Sequence, residues 1–403
     1  LLEIADRLAS GIPVRKLTHL RGTCVLSDVD SLPAAMRAFL DAHSPWETVL
    51  GPVPPRADLW RGLPSDDRHV LLPSHREVSA DPLARAVAFR AALAEQDPAA
   101  GRVLFQWQDR KVLVQNPPAK PLDSRLLDRV YALPYERRAH PAHEAEGGVP
   151  ALEEVLFSLA SHRGCYGGCS FCAISMHQGR LVQPRSAHSI LEEARAMTRD
   201  PRFKGYIHDV GGPTANFRQP ACARQRAGSA CAHRRCLVPA PCPELEVDHR
   251  EYLELLASLR KLPGVRKVFI RSGVRFDVLP LDPHPGEFLE ALCAHHVSGQ
   301  LKVAPEHVSA GVLSRMGKPG PEAYERFCRE YERMNRTLGK NQYLVPYFMT
   351  GHPGCTLEDA VELALHVRDR RVMPEQVQDF YPTPGTASTI MYFTGYDPYT
   401  MER

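Results

Sequence analysis

The sequence predicts an α/β fold: an open, partial (βα)6 barrel preceded by a smaller α+β region. Three observations predict it. After residue 151, six short β-rich runs alternate with helical segments. Those segments place apolar residues at i, i+3, i+4 and i+7, one face of a 3.6-residue repeat. The alternation itself calls for parallel βαβ units, because parallel neighbours need a crossover. Six units fall short of the eight that close a barrel. A doubly wound sheet is the alternative that periodicity does not separate.

The first region, 1–150, lacks regular alternation. A helix is expected over Pro82–Gln96, with Leu83, Ala86, Val87 and Phe89 apolar. Val103–Trp107 and Lys111–Gln115 flank Gln108-Asp109-Arg110 and predict a hairpin, which Asn116-Pro117-Pro118 ends. The polar stretch His140–Gly148 reads as a linker. The second region, 151–403, has its strands at Val155–Ala160, Gly205–Val210, Val268–Ser272, Leu301–Ala304, Tyr343–Met349 and Gln376–Tyr381. Its core-facing stripes are Tyr252, Leu255, Leu256, Leu259; Leu289, Leu292, Cys293, His296; Tyr324, Phe327, Cys328, Tyr331; and Ala360, Leu363, Ala364, Val367. Asp248 with Glu251, and Thr356 with Asp359, have capping-box spacing.

The 403 residues carry a net charge of only +3, which argues neither for nor against nucleic acid. No apolar run is long enough to span a bilayer, and LLEIADRLASGIPVRK has no signal-peptide core. A cytoplasmic location without membrane contact is expected. The chain opens on Leu1 inside a helix-like segment, so the first region is expected to be incomplete.

Eleven cysteines in such a chain read as metal or catalytic sites, not a disulfide scaffold. Seven fall between Cys165 and Cys242. Cys165, Cys169 and Cys172 form C-x3-C-x2-C directly after the first predicted strand, on the face where parallel α/β folds place their sites. Gly164, Gly167 and Gly168 let the backbone wrap closely. A closed iron–sulfur cluster takes four thiolates, so three leave one iron open to a ligand. A structural zinc loop is the competing reading, with His162 or His177 as fourth ligand.

The C-x3-C-x-aromatic-C spacing resembles the signature of radical S-adenosylmethionine (SAM) enzymes. The longer run of Cys165-Tyr166-Gly167-Gly168-Cys169, Gly211 to Asn216, Ala304-Pro305-Glu306-His307 and Gln378 to Pro382 looks like the YgiQ family within them, over residues 100–403. That resemblance implies a 4Fe–4S cluster on the three cysteines, with SAM on the open iron. It also implies cleavage of SAM to a 5′-deoxyadenosyl radical, an external electron donor such as flavodoxin or ferredoxin, and a substrate it does not name. Gly211-Gly212-Pro213-Thr214 resembles the family's Gly-Gly-Glu motif, with Pro213 in place of the Glu; taken alone it is a turn. Cofactor contacts are expected from these four residues, from Phe171 beside the thiols, and from Ser272, Arg275, Glu306 and Gly351 at later strand ends.

Cys222, Cys231, Cys236 and Cys242 form a second group inside an Arg-rich insertion at 216–247. An auxiliary iron–sulfur cluster or a zinc is expected there, against free thiols as the plain alternative. A non-catalytic iron–sulfur or zinc protein, a sensor or scaffold, is the competing function. The loop arginines are more often solvated than bound to nucleic acid.

Overall fold

The computed structural model describes residues 2–43, 62–371, 374 and 376–403. The chain divides into two units: 1–121 with 228–234 and 382–403, and 122–227 with 235–381.

In the first unit, β1 (Cys24–Ser27), β2 (His69–Leu71), β3 (Val103–Gln108) and β4 (Lys111–Gln115) make a sheet in the order β1-β4-β3-β2. β3 and β4 are the expected antiparallel hairpin, and Asp109 at its turn takes a φ of 53°. Phe105, Trp107, Val112 and Val114 pack against Met36, Phe39 and Leu40. The expected helix runs Pro82–Ala94, capped by Asp81, which accepts from Leu83 N.

The second unit has a strand at each of the six predicted places, but the first starts only at Ser158, after the helix Pro150–Val155, and the third ends at Val268. The strands are β5 (Ser158–Ala160), β8 (Tyr206–Ile207) continued by β9 (Asp209–Gly211), β10 (Lys267–Val268), β11 (Gln300–Glu306), β12 (Tyr343–Thr350) and β13 (Gln376–Asp379). A small antiparallel pair, β6 (His162–Arg163) with β7 (Gln183–Pro184), follows β5. The second predicted strand is broken at His208 because it serves two neighbours. β8 pairs with β10 and β9 with β5, all parallel. β11, β12 and β13 form a second parallel group. Among the described residues no closed barrel forms, so the partial barrel stands with a gap between β10 and β11.

The core follows the sequence periodicity closely. Ile190, Ala194 and Met197 of the helix Ala187–Thr198 meet Leu255, Leu256 and Leu259 of Arg250–Arg260, and Phe327, Cys328 and Tyr331 of Pro321–Leu338 join them. The stripe over Ala360 to Val367 is the exception. Only Leu363 is buried, against Val308 and Phe348 with Val367 alongside, while Ala360 and Ala364 are exposed. This helix covers the last strands with a narrow edge, so the rest of its apolar stripe stays exposed. Residues 122–150 belong with the second unit, although composition places a boundary after them. Leu122 N donates to Gln183, Ser124 to the Pro184 carbonyl, and Asp128 accepts from Ser186 N.

His296 offers a test of this core. It is buried, its Nδ1 donates to the Val268 carbonyl at 2.8 Å, and burial pushes its pKa down to about 4. The folded chain keeps it neutral, whereas the unfolded chain protonates it near pH 6.5. Its contribution is therefore complete above about pH 6.5 and is lost as pH falls toward 4, by at most about 1.4 kcal/mol per pH unit. Urea melts of wild type and His296→Asn between pH 7 and 4 should show a shallower pH dependence in the variant. Parallel slopes would mean the imidazole is not held neutral.

Candidate functional site

The three-cysteine loop is pinned at both ends. Gly164 N donates to the Gln178 side chain at 3.1 Å and Cys165 N to the Gly179 carbonyl at 3.1 Å. Ser170 N donates to the Met316 carbonyl at 2.8 Å, at the end of the helix Ala310–Met316. Gly164 has a φ of +85°, and a Cβ there would lie 1.9 Å from the Leu181 carbonyl oxygen, so only glycine fits. All eleven cysteines are free thiols. Cys165 and Cys172 each feel Cys169 electrostatically, and burial pushes Cys165 up to about 12 and raises Cys172. Such thiols stay protonated until a metal displaces the proton. Gly167 N approaches Cys165 Sγ at 3.4 Å, and Arg275 Nη1 approaches Cys169 Sγ at 3.6 Å.

Beyond the second strand, Gly211 and Gly212 are required by close approach. A Cβ on Gly211 would sit 2.0 Å from Ser272 Oγ, and one on Gly212 2.7 Å from the His162 ring. Ser272 donates its hydroxyl to Asp209 and its N–H to Oδ1 at 3.1 Å, so its oxygen is already engaged. Pro213 and Thr214 follow, half-buried, and Phe217 N donates to the Thr214 carbonyl at 3.1 Å. Arg275 is buried and paired with Asp277.

Glu306 ends β11 with a φ of 70°, a strained value for this residue, and is buried. Lys318 Nζ reaches its Oε1 at 3.4 Å, while Oε2 has no partner. Burial raises its carboxyl pKa, against the lowering effect of Lys318. Cys172 feels both Glu306 and Lys318. Phe171 packs edge-on to His352 at 6.3 Å between centroids. Gly351, φ +66°, is exposed, and a methyl group on it would meet nothing within 4 Å. The neighbouring His307 is buried; its Nδ1 accepts from Ser309 N, and its Nε2 lies 3.9 Å from Cys355 Sγ.

These features fit a cluster and an amino-acid-like ligand. The donor set is soft thiol, it lies beside a fixed cation, and an orphaned buried carboxylate oxygen at a strained strand end awaits a donor. Among the described residues no three His, Cys, Asp or Glu side chains converge as the ligands of a single metal ion. A four-iron cluster is larger than one ion, and its three thiolates need not meet at one point. Sequence reasoning missed Asp209, Asp277 and Lys318. Asp209 stands two residues before Gly211, and Asp277 two residues after Arg275, but neither spacing says what the carboxylate meets.

Cys231 lies in the first unit, and Cys222, Cys236 and Cys242 in the second. Ser229 Oγ and Ala230 N bond to Asp97, anchoring 228–234 in the first unit. Cys242 N donates to the Cys236 carbonyl at 2.8 Å, and Cys236 packs beside Tyr166 and Phe217.

A parallel α/β half-barrel with a glycine-rich three-cysteine loop after its first strand defines the radical SAM class of fold. The "Radical SAM superfamily" profile matches residues 159–367, and the chain belongs to that superfamily. "Radical SAM N-terminal" matches 1–158, and "Domain of unknown function (DUF3362)" matches 375–403. More particularly, the chain is 50% identical over 402 residues to a UPF0313 protein of Clostridium perfringens strain 13, covering 100% of this chain and 56% of that one. It is 53% identical over 335 residues to a UPF0313 protein of Clostridium botulinum strain Okra, covering 83% and 52%. UPF0313 proteins are the YgiQ-like family. The chain spans about half the length of these curated relatives. A solved structure of the radical SAM methyltransferase TsrM from Kitasatospora setae, with cobalamin and a [4Fe-4S] cluster bound, aligns at TM-score 0.40 and 16% identity, over 66% of this chain and 45% of that one. No helix among the described residues is long and apolar enough to cross a membrane.

Proposed function

We propose that this chain is the radical-generating part of an enzyme that cleaves SAM reductively and passes the radical to a substrate. The observation that carries the reading is the pinned loop of Cys165, Cys169 and Cys172 at the strand ends of a radical SAM fold. A bound cluster with SAM supplies an electron to the sulfonium and so a 5′-deoxyadenosyl radical. Cys165, Cys169 and Cys172 would hold that cluster. Gly211 and Gly212, where no side chain fits, would offer backbone to SAM, with Pro213 and Thr214 continuing the segment. Glu306 presents a buried carboxylate oxygen to the amino or ribose groups of SAM. Phe171, beside the thiols, would flank the bound cofactor. An external donor such as flavodoxin supplies the electron.

Anaerobic reconstitution followed by assay of 5′-deoxyadenosine from SAM and dithionite tests the reading. A full cluster with no cleavage would defeat it. Glu306→Gln should weaken SAM binding several-fold by equilibrium dialysis while iron content stays at the wild-type level. Unchanged affinity would remove Glu306 from the SAM site.

A further inference from the structure

Arg275 has its guanidinium fully committed on one edge. Nε donates to Asp277 Oδ1 at 2.7 Å and Nη2 to Oδ2 at 2.6 Å, with the two side chains 9% and 10% exposed. This fork–fork pairing fixes the plane of the group. The free edge points Nη1 at Cys169 Sγ, 3.6 Å away. Gly167 makes room for it, because a Cβ there would lie 3.0 Å from Nη1 and 3.3 Å from Cys165 Sγ. Phe217, stacked on Tyr166, has its ring 5.8 Å from the guanidinium carbon.

The backbone of Arg275 is fixed as well. Asn216 Oδ1 accepts from Arg275 N at 2.9 Å, and Asn216 Nδ2 donates to the Arg275 carbonyl at 3.1 Å. An N–H must meet the amide oxygen, which settles the orientation of this side chain. Nδ2 then aims its second hydrogen at His249 Nε2, 3.2 Å away, so that nitrogen carries a lone pair. The ring proton sits on Nδ1 and is donated to Asp282. Asn216, His249 and Asp282 are all buried.

We propose that Arg275 is a positioning residue for electron transfer, holding a fixed cation and an N–H donor against the Cys169 sulfur so that the cluster's reduction potential is raised. This rests on the cluster assignment proposed above. Reduction adds one negative charge to the cluster. A buried positive edge and an N–H···S contact stabilise the reduced state more than the oxidised one. Asp277 offsets part of the charge but lies on the far edge, so the positive end of the pair faces the sulfur. One electron enters from the external donor, and no bond is made or broken in this step.

The test is an EPR-monitored redox titration of reconstituted wild type, Arg275→Gln, Arg275→Lys and Asn216→Ala, each with iron and sulfide measured. Arg275→Gln should move the midpoint to more negative potential, lowering the reduced fraction several-fold at the wild-type midpoint. Arg275→Lys keeps the charge without the fork and should fall between. Asn216→Ala keeps Arg275 but frees its backbone, and should shift the midpoint the same way by less. A wild-type midpoint in Arg275→Gln with full iron overturns the inference. If that variant holds no cluster, wild-type midpoints in the other two overturn it. A wild type that takes up no cluster overturns the ligand assignment itself.

Discussion

Cys169→Ala is expected to bring bound iron to background and to stop formation of 5′-deoxyadenosine. Two thiols remain in the variant, too few to hold a cluster that already keeps one iron unfilled. Cys165, pushed up to about 12 by burial, would remain protonated without iron. The loss also strips Arg275 Nη1 of its sulfur partner, and an unpaired buried donor costs about 1–3 kcal/mol. Iron and sulfide analysis, the visible absorption of the reconstituted protein and chromatographic assay of the nucleoside check each part. Retention of a wild-type cluster would mean that Cys169 is not a ligand.

Gly164→Ala should be the most damaging single methyl in the second unit. The new Cβ would stand 1.9 Å from the Leu181 carbonyl oxygen, which is backbone and not free to swing aside. Its φ of +85° adds the left-handed penalty. Overpacking of about 1–3 kcal/mol and a conformational cost of about 1–2 kcal/mol together give a loss of about 2–5 kcal/mol. Because Gly164 precedes the first cysteine, iron content should fall with stability. Gly179→Ala is the control: φ is +91° but nothing lies within 4 Å, so only the conformational part should appear. Thermal melts of the three proteins check this. Equal losses in the two variants would show that the Leu181 contact is relaxed.

The succession of strands and helices was legible because βαβ units alternate two periodicities. The stripes Tyr252 to Leu259 and Tyr324 to Tyr331 are buried as read. The Thr356–Asp359 capping box forms, since both partners lie within one helical turn. Asp248 shows the limit. His249 is the residue at the N-cap, and Asp248 instead binds Arg250, because His249 is drawn into its bond with Asp282. The exposure of the helix Leu357–Arg370 was not legible either, since a stripe says that a face is apolar but not how much neighbour there is to cover it.

From the chain alone came the cysteine spacing, the alternation of strands and helices, and the placing of glycines after strands. These are properties of residues a few positions apart, and local spacing encodes them. Tertiary structure alone decided that the second strand breaks to serve two partners, and that Glu306 holds a strained strand end with one oxygen unpaired. It also decided that Arg275 faces a sulfur 106 residues away. A buried charge takes whichever partner the fold brings within reach, and no periodicity records that choice.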